Sequence, residues 1–152
     1  MLKVGDTAPA FTLESDSAGT ISSAALAGKR YVIYFYPKDD TPGCTKEACS
    51  FRDRLPDFSQ LGVPVFGVSP DDAKAHAKFV KKYALNFPLL VDPDKQLLQA
   101  YGVWAEKSMY GRTYMGVLRA TFIVGADGRI EKVWPKVKPE GHADEVLAAL
   151  NG

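Results

Sequence analysis

Tyr31-Val32-Ile33-Tyr34-Phe35-Tyr36, followed at once by Pro37-Lys38-Asp39-Asp40-Thr41-Pro42-Gly43-Cys44, is the stretch on which the reading of this chain turns. The first six residues are aromatic or β-branched with no polar break. That is the pattern of a central strand covered on both faces, not of a strand with one wet side. Residues 37–40 then have to be a loop. Thr41-Pro42 is a helix start: a hydroxyl at the N-cap, then proline at the first helical position. Cys44, Ala48, Phe51, Leu55 and Phe58 follow at helical spacing, so one face of this helix packs on the sheet. The order strand, loop, helix puts Cys44 in a first helical turn just past the carboxyl end of a buried strand, the edge at which open α/β sheets carry their reactive groups.

Working outward, residues 63–68 read as the next strand, with Pro64 near its start because proline cannot donate to a central ladder. Residues 69–83 read as a second helix with Ala73, His76, Phe79, Val80 and Tyr83 turned inward and Lys74, Lys78, Lys81 and Lys82 in water. A short strand at 89–91 and a short helix at 95–101 come next. Residues 104–116 hold aromatics, two methionines and glycines without a clear period, and read as a loop. Strands at 117–124 and 130–134 are joined by the Ala126-Asp127-Gly128 turn, and residues 140–150 close the chain as a helix on Ala143, Val146, Leu147 and Leu150. Upstream, Phe11-Thr12-Leu13 and Thr20-Ile21-Ser22 flank Asp16-Ser17-Ala18-Gly19 as a hairpin. The sum is an α/β, thioredoxin-like fold: a mixed central β-sheet flanked by helices, with an N-terminal β-hairpin, in one domain over residues 1–152.

Composition narrows the function classes. At 152 residues with 46% hydrophobic residues, the chain can bury a substantial core as a single domain. Nineteen Lys+Arg against eighteen Asp+Glu leave a formal charge of +1, which argues against a nucleic-acid binder. No apolar run approaches a membrane span, and the N-terminus has no charged patch followed by an apolar stretch, so no membrane partner and no secretory signal are expected. A cytoplasmic protein is the expectation. Two cysteines are too few for a disulfide scaffold or an all-cysteine zinc site. His76 and His142 are the only histidines that could complete a metal site; both read as helix residues, so no metal is expected.

The cysteines carry the chemistry. The unpaired N–H groups and partial positive charge of a helix N-terminus favour an anion, and Gly43 leaves the sulfur uncrowded, so Cys44 reads as a reactive thiol. The bland alternative is a small buried apolar residue. Cys49 stands five positions on. In an ideal helix that spacing separates the Cα atoms by about 8.7 Å, beyond the roughly 7 Å a disulfide tolerates. The two thiols can pair only if the first turns unwind, and Cys49 is otherwise a spectator; spacing alone leaves both open. It is also not the C-x-x-C of thioredoxin-type oxidoreductases. Arg119 interrupts an apolar strand and needs an anion, either a structural partner among Asp39, Asp40 and Glu47 or the Cys44 thiolate.

Pro37-x-x-x-Thr41-x-x-Cys44, with Arg119 far along the chain, resembles the peroxiredoxin active-site pattern. The stretches from Tyr36 to Asp53 and from Gly102 to Gly116 are similar to the Q-type, or bacterioferritin-comigratory, branch. The resemblance covers nearly the whole chain. It implies a thiol-dependent peroxidase acting on hydrogen peroxide and organic hydroperoxides, with Cys44 as the peroxidatic cysteine and Cys49 as the resolving one. Thr41 then hydrogen-bonds to thiolate and peroxide, Pro37 and Pro42 shape and shield the pocket, Arg119 steadies the thiolate, and Glu47 holds Arg119. No cofactor is implied. Thioredoxin or a similar dithiol is the implied reductant, and a monomer suffices because both thiols lie in one chain. The alternatives are a general thiol–disulfide oxidoreductase and a non-enzymatic redox sensor. Residues 104–116 are expected either to wall the site with apolar side chains or to cap the core.

Overall fold

The computed structural model describes residues 1–16 and 19–152; the Ser17-Ala18 part of the expected hairpin turn lies outside them. Strands β1 (Thr12–Glu14) and β2 (Thr20–Ser22) pair antiparallel as a small separate sheet. The main sheet is built from β3 (Tyr31–Phe35), β4 (Val65–Ser69), β5 (Leu89–Val91), β8 (Ala120–Val124) and β9 (Ile130–Trp134), in the order β5-β4-β3-β8-β9. β3 is central, parallel to β4 and antiparallel to β8. Helices α1 (Pro42–Gln60), α2 (Ala73–Tyr83) and α4 (His142–Asn151) cover one face; α3 (Gln96–Ala100) and the N-terminal segment cover the other. This is the mixed, helix-flanked sheet read from the sequence.

The alternation of β3 divides the core into two layers. Val32, Tyr34 and Tyr36 enter a cluster with Phe51 and Phe58 of α1, Phe79 of α2 and Val146 of α4. Tyr31, Ile33 and Phe35 enter a second cluster with Leu97, Leu98, Tyr101 and Phe122. Every β3 side chain is buried, so the strand shows no polar alternation. Tyr34 stacks on Phe51 at 4.7 Å between ring centroids, which fixes α1 against the middle of β3. Within α1, the exposed Pro56 cannot donate to the carbonyl of Arg52. The Asn86 amide donates to that oxygen instead, at 3.2 Å.

Several boundaries differ from the expectation. Residues 104–116 are not a loop: β6 (Trp104–Met109) and β7 (Arg112–Val117) form a two-stranded antiparallel ribbon. Tyr110 and Gly111 both have positive φ, 53° and 76°, the geometry of a type I′ two-residue hairpin turn. Most of the ribbon's side chains are exposed or half-exposed, so no buried face imprints a period on its sequence. The strand read at 117–124 is two strands, broken at Leu118 and Arg119. The second helix starts at Ala73, not at residue 69. Ser69 ends β4, and the Asp72 carboxylate caps α2 by accepting from Ala75 N–H at 2.8 Å. No helix among the described residues is long and apolar enough to cross a membrane.

Candidate active site

Three elements converge at the carboxyl end of β3. The first is the loop after β3, which turns sharply through Asp40 at φ +56° before Thr41 opens α1. Thr41 is extended, at φ −103° and ψ 155°, as an N-cap residue should be, but its hydroxyl makes no cap bond. It donates to the Lys38 carbonyl at 2.9 Å. The N–H groups of Gly43 and Cys44 in the first turn are therefore not taken by the Thr41 side chain and remain suited to an anion.

Cys44 is 2% exposed, beneath the first turn of α1 and against the core. The second element, the break between β7 and β8, delivers Arg119. Its backbone is held there by the Val137 N–H, which donates to the Arg119 carbonyl at 3.0 Å. One guanidinium nitrogen, Nη2, donates to Cys44 Sγ at 3.2 Å, and the other, Nη1, donates to Glu47 Oε1 at 2.7 Å. The two partners that the sequence left as alternatives are both engaged, because the planar fork can serve a sulfur and a carboxylate at once. Gly43 makes room for it: a Cβ there would lie 3.2 Å from Arg119 Nη2.

Glu47 sits one turn after Cys44, fully buried. Its Oε2 has no hydrogen-bond partner among the described residues. Burial pushes its carboxyl up to about 7 despite the opposing attraction of Arg119. Burial works against the Arg119 charge as well, but Glu47 and then Cys44 outweigh it and hold the guanidinium charged.

The third element is the segment before α4. Pro139, with Lys138 and Glu140, faces Pro42, Gly43 and Lys46 across an open groove of about 490 Å³. The sulfur does not line this groove, although the preceding residue, Gly43, does. Of the two alternatives for residues 104–116, the apolar wall is not met at this groove, to which the ribbon contributes no residue, while Trp104 packs against the second core cluster; Tyr110 at the tip is 98% exposed. Pro37 is half-buried in the loop between β3 and α1. Cys49 is half-buried farther along the unbroken α1, and both thiols are free.

Sequence reasoning named these residues and turned His76 inward, but did not bring together a second set in which Asp71 is half-buried. Asp39, Asp71 and His76 offer ligand atoms within 4.8 Å of one another, yet each is engaged in hydrogen bonds with its neighbours. The other histidine, His142, is also buried and lies 2.7 Å from Thr121 Oγ1 through Nε2.

Residues 4–133 match the AhpC/TSA family. The chain belongs to that family. A putative peroxiredoxin bcp of Coxiella burnetii is 49% identical over 98% of this chain and 99% of that protein. Peroxiredoxin Q of Xanthomonas campestris superposes with a TM-score of 0.88 at 44% identity, covering 93% of this chain and 89% of that one. A bacterioferritin comigratory protein of the same organism, described for its alkyl peroxide reduction activity, gives 0.88 at 43%, over 93% and 90% of the two chains. Within the AhpC/TSA family this chain is thus a peroxiredoxin of the Q, or Bcp, type, an oxidoreductase of thioredoxin fold.

Proposed function

We propose that the thiol peroxidase activity of this family runs here on Cys44, with Arg119 as its fixed cation and Cys49 as the resolving thiol. The observation that carries the reading is the 3.2 Å contact from Arg119 Nη2 to Cys44 Sγ, made while Nη1 holds a buried carboxylate. A guanidinium so anchored favours the thiolate over the thiol, and the thiolate is the nucleophile. Attack on the terminal oxygen of a hydroperoxide forms an S–O bond and breaks the O–O bond. Charge grows on the departing oxygen, and Arg119 together with the first N–H groups of α1 is placed to stabilise it. Thr41 spends its proton on Lys38, so it acts towards peroxide as an acceptor and orients the substrate's O–H. Pro37 and Pro42 flank this loop and limit access of water.

The products are water or an alcohol and Cys44 sulfenic acid. Cys49 then attacks that sulfur; the S–S bond forms, the S–O bond breaks, and the hydroxide leaves with the thiol proton as water. Helical spacing keeps the Cα atoms about 8–9 Å apart, so α1 has to uncoil locally for this step. An external dithiol, with thioredoxin as the candidate, returns both thiols by exchange and is itself oxidised to a disulfide. Hydrogen peroxide and organic hydroperoxides are the proposed substrates. Both thiols lie in one chain, which supports a monomer acting as one domain, and their free state suits a reducing, cytoplasmic setting.

A peroxide-consumption assay with thioredoxin, its reductase and NADPH tests this. Cys44→Ser abolishes turnover. Cys49→Ser takes up one equivalent of peroxide and then stalls. Normal thioredoxin-driven turnover in Cys49→Ser would overturn the resolving role, and turnover in Cys44→Ser the whole assignment.

A further inference from the structure

His76 is the side chain in this molecule whose environment asks for an explanation that the reaction scheme has not used. It lies on the inner face of α2 and is fully buried. Its Nδ1 is 2.6 Å from Asp39 Oδ2 and its Nε2 is 2.9 Å from the Leu90 carbonyl oxygen. A carbonyl cannot donate. The other Asp39 oxygen, Oδ1, already accepts from the Tyr36 hydroxyl at 2.5 Å. With the Asp39 carboxyl ionised, two ring nitrogens that each face an acceptor are satisfied only when both carry hydrogen. The geometry is therefore that of an imidazolium buried against a carboxylate. Burial opposes the charge, but Asp39, then the Leu90 carbonyl and Asp71, outweigh it and raise the imidazole above 6.5.

The pair reaches directly into the active-site loop. Asp39 lies between β3 and α1, and its N–H donates to Asp71 Oδ2 at 2.8 Å. That oxygen also accepts from Ser69 Oγ at 2.6 Å. The next residue, Asp40, accepts from Lys82 at 2.9 Å and from the Tyr83 hydroxyl at 2.7 Å. The loop that sets the N-terminus of α1 is thus tied to the start, middle and end of α2, with His76 as the buried tie. A second anchor grips α1 farther along: Arg52 donates to the Tyr83 carbonyl at 2.7 Å, and Ser50 accepts from Ala143 N–H at 3.2 Å. Between the two anchors lie Cys44 and Cys49.

We propose that His76 is a positioning residue: through Asp39 it holds the loop ahead of Cys44 against α2 and keeps the first turns of α1 wound while the sulfur meets peroxide. This rests on the proposed roles of the two cysteines and goes beyond them. The wound state places Cys44 beside Arg119 for attack. The uncoiled state lets Cys49 displace hydroxide from the sulfenic acid. A tie that favours the first state opposes the second, so loosening it changes the two steps in opposite directions.

Two rate constants test this in His76→Gln and His76→Ala. Sulfenic acid formation is read by rapid quench and mass spectrometry in the Cys49→Ser background, and disulfide formation in the chain with both cysteines. Sulfenic acid formation is expected to slow by about ten- to a hundredfold, the scale of misplacing a reacting group by an ångström. Disulfide formation is expected to accelerate, and sulfinic acid at excess peroxide to fall. Leu97→Ala, in the opposite core layer, controls for lost stability and moves neither constant. Unchanged constants, or two that fall together, overturn the proposal. Nitrogen-15 NMR of the reduced wild type supplies an independent readout, valid even where a variant does not fold: both His76 nitrogens are protonated at pH 6, and a neutral ring there overturns the proposal. If the parent chain forms no Cys44–Cys49 bond, the resolving assignment fails, and the sulfenic acid step and the NMR signal alone decide the role of His76.

Discussion

Replacing Glu47 by glutamine removes a buried charge while keeping the shape of the side chain and an acceptor for Arg119 Nη1. The carboxyl is fully buried, has one oxygen without a partner among the described residues, and is pushed from its ordinary 4.5 up to about 7, chiefly by burial and against the pull of Arg119. Below 4.5 it is protonated in both the folded and the unfolded chain. As the pH rises from there, the unfolded chain releases this proton first, so folding becomes progressively less favourable until the native carboxyl ionises near 7. At 1.36 kcal/mol per tenfold change in proton affinity, that interval is worth about 3 kcal/mol of stability, present in acid and lost by neutrality. Glutamine does not titrate. The Glu47→Gln variant should therefore gain on the wild type by about 3 kcal/mol between acid and mildly alkaline pH, or very roughly 6–12 °C in Tm for a chain of this size. The measurement is urea unfolding of both reduced proteins at a series of pH values. Parallel stability profiles would show that this carboxyl does not titrate near neutrality and would refute the reasoning.

Arg119→Lys should lower kcat/KM for peroxide about a hundredfold, because one ammonium cannot reach both the sulfur and Glu47 as the fork does; an unchanged value in a steady-state assay would show that charge alone suffices. Pro56→Ala should stabilise the chain by about 1–3 kcal/mol in chemical denaturation, since it replaces an exposed interior proline of α1 and restores a donor to the Arg52 carbonyl; no gain would mean that Asn86 already compensates fully. The His76–Asp39 pair has a raised imidazole, so its stabilisation is complete below pH 6.5 and is lost as pH climbs through the raised value. The stability gap between wild type and His76→Gln should accordingly narrow with rising pH, and a constant gap would count against the ion pair.

Much of the site was legible because its residues announce themselves locally. The unbroken apolar run of β3 marks a strand covered on both faces, and Thr41-Pro42 marks the start of α1 to the residue. Arg119 was visible as a charge in an apolar context, but not its place in a strand break, since a two-residue interruption leaves no pattern in composition. The β6–β7 ribbon escaped for a related reason: with most side chains exposed, nothing selects a period, and the one usable signal was Gly111 following Tyr110 in a turn that needs positive φ at both. The helical period turned His76 inward correctly, but its pairing with Asp39 was beyond reach. In sequence, Asp39 is one of several charges in a polar loop, and only the folded contact with α2 tells a tie from a solvated face.

The pairing of β3 with β8 sets Phe35 opposite Ala120, and so brings the ends of two distant segments, one leading to Cys44 and one leading from Arg119, to the same corner. A slip of that ladder by a single residue would carry the guanidinium to the other side of the sheet. Recovery of peroxide reduction after dilution from denaturant is therefore a reporter of correct zippering between residues some eighty-five positions apart.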